Sequence, residues 1–203
     1  RQRAYFKAPA RHNALTLDNR DYDDPVPQLV EWRPEGDVQI LSVQHEAYAG
    51  LTRRRHIAFV EERFFIVVDE VCGPASGNLT LRNCLGPGSL TAMPAKGSYL
   101  YRDGNAVLCI FAYGPEESVA SVAKDWFSEA FHEKTERSVI RLDVPRKVDD
   151  GVQSFVTILY PFDAAEEAMP AVAVNAITNV GDNVLKVDVG IADRNYNIEF
   201  NKL

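Results

Sequence analysis

Apolar residues in this chain recur at every second position in short runs, and a period of two rather than 3.6 sets the expected secondary structure. Runs rich in Val, Ile, Phe, Tyr and Thr occur at Ala14 to Leu17, Leu29 to Trp32, Val38 to Val43, His56 to Phe59, Phe64 to Val71, Leu79 to Cys84 and Ser98 to Tyr101. They continue at Val107 to Ala112, Val139 to Val144, Ser154 to Tyr160, Ala171 to Val174, Val184 to Val189 and Tyr196 to Phe200. Each reads as a strand, because β-branched and aromatic side chains suit a pleated, half-buried surface. Turn formers stand between them, with Asp103-Gly104 and Gly181-Asp182 placed as tight hairpins. One stretch, Val119 to Phe131, looks helical. Many short antiparallel strands, each with one apolar face to bury, predict an all-β fold, an antiparallel multi-stranded β-sandwich of two or more packed sheets.

Two segments break the simple alternation. Phe64-Phe-Ile-Val-Val is nearly continuous apolar, as a central strand buried on both faces would be, and Asp69-Glu70 is expected to close that strand at a sheet edge. Thr52-Arg-Arg-Arg55 reads as a solvated turn or a charged edge that blocks strand pairing. Its alternative reading is a surface for sugar carboxylates or sulfates, which arginine's planar fork matches.

Composition narrows the function classes. The chain has 203 residues, 46% of them hydrophobic, enough for a full core, and one domain over residues 1–203 is the expectation. A net charge of −7, from 22 Lys and Arg against 29 Asp and Glu, argues against nucleic acid as partner, and a polyanionic ligand would need local basic patches. No run has the roughly 20 apolar residues that a membrane helix requires. Cys72, Cys84 and Cys109 cannot all pair and are expected as three small buried side chains. No phosphate-binding glycine loop, Cys-x-x-Cys pair or Gly-x-Ser-x-Gly elbow is present. His45, His56 and His132 read as non-catalytic, Trp32 as core, and Trp126 as a possible sugar platform. Arg1 has neither an initiator Met nor a signal-peptide core ahead of it, and is expected to be an interior residue of a longer polypeptide.

Four segments occur in an order that carries a resemblance: Arg3-Ala-Tyr-Phe-Lys-Ala-Pro-Ala-Arg-His-Asn-Ala-Leu-Thr-Leu-Asp18, His45-Glu-Ala-Tyr-Ala-Gly-Leu-Thr-Arg-Arg-Arg-His56, Phe64-Phe-Ile-Val-Val-Asp-Glu-Val71 and Thr157-Ile-Leu-Tyr-Pro161. Together they resemble the C-terminal portion of the heparinase II/III-like polysaccharide lyases, a family with relatives that act on alginate. The resemblance implies an N-terminal α/α toroid ahead of a β-sandwich. It implies β-elimination on a uronic-acid-containing acidic polysaccharide, a glycosaminoglycan such as heparin or heparan sulfate, or alginate. In that chemistry a base takes the C5 proton, a partner neutralises the carboxylate and an acid protonates the leaving oxygen. Most of these groups would lie upstream, so the resemblance puts no catalytic residue in this chain. It matches His12 to one of three zinc ligands, the other two preceding residue 1, so that zinc belongs to the full-length parent. It sets Tyr5 and Arg11 against substrate. It further implies a periplasmic or secreted protein and a homodimer as one possible assembly. The competing expectation is a non-catalytic carbohydrate-binding or interdomain scaffold module.

Overall fold

The computed structural model describes residues 2–23, 25–130, 133–163, 169–181 and 183–202. Three antiparallel sheets stack as layers, confirming the all-β sandwich. The central layer has eight strands in the order β2 (Gln28–Arg33), β3 (Val38–Tyr48), β4 (Leu51–Val60), β5 (Phe64–Cys72), β12 (Gln153–Pro161), β9 (Ala106–Tyr113), β8 (Ser98–Asp103) and β7 (Ser89–Ala92). On one side lies a four-stranded sheet, β1 (Leu15–Leu17), β6 (Gly77–Cys84), β11 (Thr135–Arg146) and β10 (Val119–Phe127). On the other lies the meander β13 (Val172–Val180), β14 (Val184–Ile191) and β15 (Arg194–Asn201).

Alternation along each central strand feeds two cores. Ile40, Ala58, Phe64, Ile66, Val68, Val156 and Ile158 meet Leu185, Val187, Ile198 and Phe200 of the meander. Side chains of opposite parity, including Leu51, Val71, Phe155 and Ile110, meet Leu15, Leu79, Leu81, Ile140 and Leu142 of the four-stranded sheet. The Asp103-Gly104 expectation holds: Asp103 pairs Ala106 across a turn whose Gly104 has φ of +56°. The second hairpin also forms, with Val180 paired to Val184, although Asp182 lies outside the described residues.

Several expectations are corrected. Val119 to Phe127 is a strand, pairing β11 over nine residues, because a long neighbouring edge outweighs the helix preference of its Ala and Lys residues; Phe131 lies outside the described residues, as does His132. Trp32 is 62% exposed rather than core. Cys109 is buried, but Cys72 and Cys84 are only partly so, and all three are free thiols. Thr52-Arg-Arg-Arg55 is no turn or edge, since β4 is hydrogen-bonded to β3 and β5 on its two sides. Asp69 and Glu70 do not mark an edge either; both are buried in an interior strand.

The last two corrections have one cause, a charge ladder between β4 and β5. Register sets Arg55 opposite Asp69 and Arg54 opposite Glu70, and alternation sends the pairs to opposite faces. Toward the four-stranded sheet, Asp69 accepts from Arg55 Nε at 2.8 Å and Nη2 at 2.7 Å and from Arg53 Nη2 at 2.9 Å. Toward the meander, Glu70 lies 3.2 Å from His56 Nε2, 3.2 Å from Lys202 Nζ and 3.6 Å from Arg54 Nη1. His56 is wholly buried, with Nδ1 at 2.8 Å from Ser42 Oγ, which settles it as structural. A buried carboxylate needs such partners, because leaving water without them costs several kcal/mol.

Two predictions follow from the ladder. Asp69→Asn leaves Arg53 and Arg55 without their shared counter-charge and is expected to destabilise the fold by about 3–5 kcal/mol, read by urea unfolding; a loss below about 1 kcal/mol would refute the assignment. Burial alone would push both carboxyls up, yet Arg55 and Arg53 hold Asp69 below its ordinary 3.8, while His56 and Lys202 hold Glu70 below its ordinary 4.5. Depressed folded values mean stability that is complete above those ordinary values and is lost as pH falls through the folded ones. Acid unfolding below about pH 4 should therefore be blunted in Asp69→Asn relative to the parent chain.

Candidate functional site

The segment before β1 is a polar strap laid across one end of the four-stranded sheet. It opens with a helix, α1 (Gln2–Lys7), absent from the strand pattern, and turns through Pro9–Arg11 with Pro9 in the first helical position. Its contacts run from edge strand β10 to central strand β4. The Tyr5 hydroxyl donates to Asp125 Oδ1 on β10. Arg11 Nη1 donates to the same oxygen at 3.2 Å, and its guanidinium stacks 4.2 Å from the Tyr5 ring centre. Arg137 on β11 donates to the Arg11 carbonyl at 2.6 Å. Asn13 then locks the far end, its Oδ1 accepting from the Cys84 backbone N–H at 2.6 Å and its carbonyl accepting from Arg55 Nη1 at 2.7 Å.

Arg55 thus joins the buried ladder to the strap, with two donors on Asp69 and a third on Asn13. Arg53 extends the same anchor, donating to the Tyr22 hydroxyl at 2.8 Å, and Tyr22 in turn donates to the Leu15 carbonyl at 3.0 Å. His12, one residue before Asn13, is exposed, and its ring has no partner among the described residues. The arrangement pins the backbone on both sides of an imidazole that itself faces outward.

The three residues singled out in the sequence are therefore gathered on one strap, with different surroundings. Tyr5 and Arg11 converge on Asp125, whereas His12 projects away. Burial and the hydrogen bond to Asp125 raise the Tyr5 hydroxyl above its ordinary 10.0, so at neutral pH it donates. Burial pushes the Asp125 carboxyl up, but the bonds from Tyr5 and the Trp126 N–H together with Arg11 bring it below its ordinary 3.8. Burial raises the Cys84 thiol above its ordinary 9.0, so it is protonated at neutral pH. No group of three His, Cys, Asp or Glu side chains with metal-binding geometry exists among the described residues. Asp125 is committed to its cation and hydroxyl partners, so the donor set beside His12 amounts to a single imidazole, which does not hold zinc alone.

Charge on this side differs from the net −7 of the chain. Arg82 and Arg141 stand directly opposite each other on β6 and β11. Arg141 donates to Asp143 at 2.9 Å, while Arg82 is held by neutral acceptors, Thr16 Oγ1 at 2.9 Å and Asn19 Oδ1. With Arg11 and Arg137, four arginines face two aspartates, Asp125 and Asp143, a local positive excess of the kind a polyanion requires. Sequence reasoning missed Asp125, Arg137 and Cys84. No local signal marked them, since Asp125 meets Arg137 only once β10 pairs β11, and their contacts to the strap span more than seventy residues.

The family model described as heparinase II/III-like, C-terminal, matches residues 1–169. Heparin-sulfate lyase of Bacteroides stercoris is 24% identical over 201 residues, covering 98% of this chain and 30% of the relative. Heparin-sulfate lyase of Pedobacter heparinus is 25% identical over 164 residues, covering 79% of this chain and 25% of the relative. Among solved structures, a heparinase III gene product superposes with a TM-score of 0.90 at 23% identity, over 99% of this chain and 32% of that one. Heparan sulfate lyase from Pedobacter heparinus superposes with a TM-score of 0.85 at 21% identity, over 98% of this chain and 31% of that one. The chain thus spans less than a third of the length of these proteins. The strap that carries His12-Asn13 and the β4 and β5 residues of the charge ladder fall inside the matched region, and the chain belongs to the heparinase II/III-like family as its C-terminal β-sandwich portion.

Proposed function

We propose that this chain is the C-terminal domain of a polysaccharide lyase that cleaves a uronic-acid-containing acidic polysaccharide by β-elimination. Heparan sulfate is the first substrate to test, because the Pedobacter structure above is named for it and the curated relatives are named heparin-sulfate lyases. The observation that carries the reading is the strap: its backbone is fixed at Asn13 by Cys84 and Arg55, while the neighbouring His12 side chain is left outward. Ordered backbone beneath an unpartnered imidazole is how a fold holds a functional histidine, since each restraint removes freedom that would otherwise be lost on binding.

In this proposal the domain contributes one wall of a cleft whose remainder is supplied by polypeptide preceding residue 1. His12 is one ligand of a zinc ion completed by upstream side chains; such an ion stabilises the assembled site and fixes the imidazole's orientation. Arg11 retains donors beyond the one given to Asp125 and reads the substrate's carboxylate or sulfate, with Arg82 and Arg141 raising the local concentration of polyanion. Tyr5 forms the floor under Arg11. The base and acid of the elimination come from the upstream part. The proposed compartment is periplasmic or extracellular, where such a polymer is met. The alternative, a non-catalytic carbohydrate-binding or scaffold module, calls for exposed aromatics in a row on one sheet face, and Trp32 and Trp126, although exposed, stand on different sheets.

Residues 1–203 alone are expected to release no unsaturated uronide from heparan sulfate or alginate, whereas the full-length polypeptide should raise the ultraviolet absorbance of one of them; silence of the full-length protein on both would overturn the lyase reading. Within that polypeptide, His12→Ala should abolish zinc retention measured by metal analysis and lower activity by at least 10-fold. Asn13→Ala, which removes the Cys84 anchor and leaves the Asp69 cluster intact, should lower activity by about 10–100-fold through a loosened strap, while zinc content and activity equal to the parent's would show that the strap needs no side-chain anchor there.

A further inference from the structure

The central sheet carries an apolar corner that neither flanking layer covers. The four-stranded sheet lies over the part of β4 and β5 that holds Leu51 and Val71, and its contact ends at the strap. Beyond Arg55 the same face continues across hydrogen-bonded strands with one cross-strand row, Trp32, Leu41, Ile57 and Val67, and beside it the pair Phe59 and Phe65. Phe59 and Phe65 stack at 4.4 Å, yet Phe65 is 36% exposed and Trp32 is 62% exposed, while Leu41, Ile57 and Val67 are only half-buried. None of the six is charged. Interior strands of a sheet with one wet face show polar residues at alternate positions, whereas β5 reads Phe64-Phe-Ile-Val-Val68 with both parities apolar. That pattern belongs to a strand covered on both sides, and the described residues cover only one side at this end.

We propose that this corner is the seat of the polypeptide that precedes residue 1, a second domain that lies over the Trp32, Ile57 and Phe65 face and abuts the His12 strap. The proposal rests on reading the chain as one domain of a longer lyase. Three observations select this occupant over others. The chain accounts for about 30% of its curated relatives and matches their C-terminal family model, so the outstanding length lies on the amino-terminal side. The strap through which an upstream domain would enter crosses the step at the border of the corner, where Arg55 is bonded to Asn13 and Ile57 is two residues further along the same strand face. The corner's composition is that of an interdomain contact, six aliphatic and aromatic side chains with the Trp32 indole and the Gln39 amide opposite Phe59 at its margin, whereas a sugar platform needs several polar atoms around its rings for the hydroxyls.

The test compares hydroxyl-radical footprinting of residues 1–203 with that of the full-length polypeptide, with Trp126 on the four-stranded sheet as the internal control. Several-fold lower modification of Trp32 and Phe65 in the longer chain, with Trp126 unchanged, is the expected result. Equal modification of Trp32 and Phe65 in both proteins would overturn the proposal. So would protection in residues 1–203 that grows with protein concentration, which would assign the face to a second copy, or protection on adding heparan sulfate oligosaccharide to residues 1–203, which would make it a sugar platform. A variant, Trp32→Glu, should leave the unfolding midpoint of residues 1–203 nearly unchanged, because that side chain is 62% exposed there. In the full-length protein it should lower the midpoint or split the transition in two. Footprint protection in a protein without lyase activity would remove the catalytic reading and leave the docking face standing, so the two failures are separable.

Discussion

Two adjacent carboxylates on one strand, Asp69 and Glu70, point to opposite faces of the central sheet, and the order of the molecule depends on how they are neutralised. Consecutive residues of a strand alternate sides, so four consecutive basic residues on the neighbouring strand, Arg53 to His56, serve both faces at once. The odd pair goes to Asp69 and the even pair to Glu70. Each cluster then recruits a group from the layer it faces. Arg55 reaches Asn13 and Arg53 reaches Tyr22 on the side of the four-stranded sheet; Lys202, at the end of the meander, reaches Glu70 and Asn179 on the other. A three-layer fold has the particular problem that its outer layers can slide on apolar contacts, which are not directional. Charge-assisted hydrogen bonds are directional, and two of them on opposite faces of one strand pair fix both outer layers to the same reference. Replacing such a network by apolar residues often costs little stability, so specificity of arrangement is the better account of its presence.

The candidate site inherits that arrangement. His12 has no restraint of its own, but Asn13 beside it is held from two layers, by the Cys84 N–H of the four-stranded sheet and the Arg55 guanidinium of the central one. At the other end Asp125 collects Tyr5 and Arg11 and receives the Trp126 N–H at 2.8 Å. The strap therefore has two fixed ends with a short span between them, and the imidazole sits next to one of those ends. Around it the positive excess of Arg11, Arg82, Arg137 and Arg141 stands against a chain that is acidic as a whole, which concentrates attraction for a polyanion at one place rather than spreading it over the surface.

Much of the fold could be read from the sequence, because strands with one apolar face declare themselves by period. Leu79 to Cys84, Val107 to Ala112, Val139 to Val144 and Ser154 to Tyr160 all lie within observed strands. What failed to show was whatever depended on neighbours. Val119 to Phe127 contains Ala and Lys, which favour helices, and only the partner strand β11 makes it extended. Arg53 to Arg55 looks like surface by composition, and nothing local says that the carboxylates meant to neutralise it sit fourteen to sixteen residues away on the next strand. Trp32 was expected inside because it ends an apolar run, yet it sits on β2, which among the described residues pairs only β3. The site was partly legible: Tyr5, Arg11 and His12 were singled out together, while Asp125, Arg137 and Cys84, which hold the strap, are more than seventy residues further along and only topology brings them near.

Strand β4 joins these themes on a single face. Reading along one parity, Arg53 and Arg55 hold Asp69 and the strap, and the next two residues, Ile57 and Phe59, open the uncovered apolar corner. The spacing is two residues, about 7 Å along a strand, so the group that fixes Asn13 beside His12 and the surface proposed to carry a second domain belong to one rigid element. Any body that seats on Ile57 and Phe59 is thereby registered against His12 without a flexible connection in between. A cleft assembled from two domains needs this property, because a misplacement of about 1 Å between groups on either side can cost a hundredfold in rate. The buried ladder supplies it, by tying the strand that carries the docking surface to the strap that carries the imidazole.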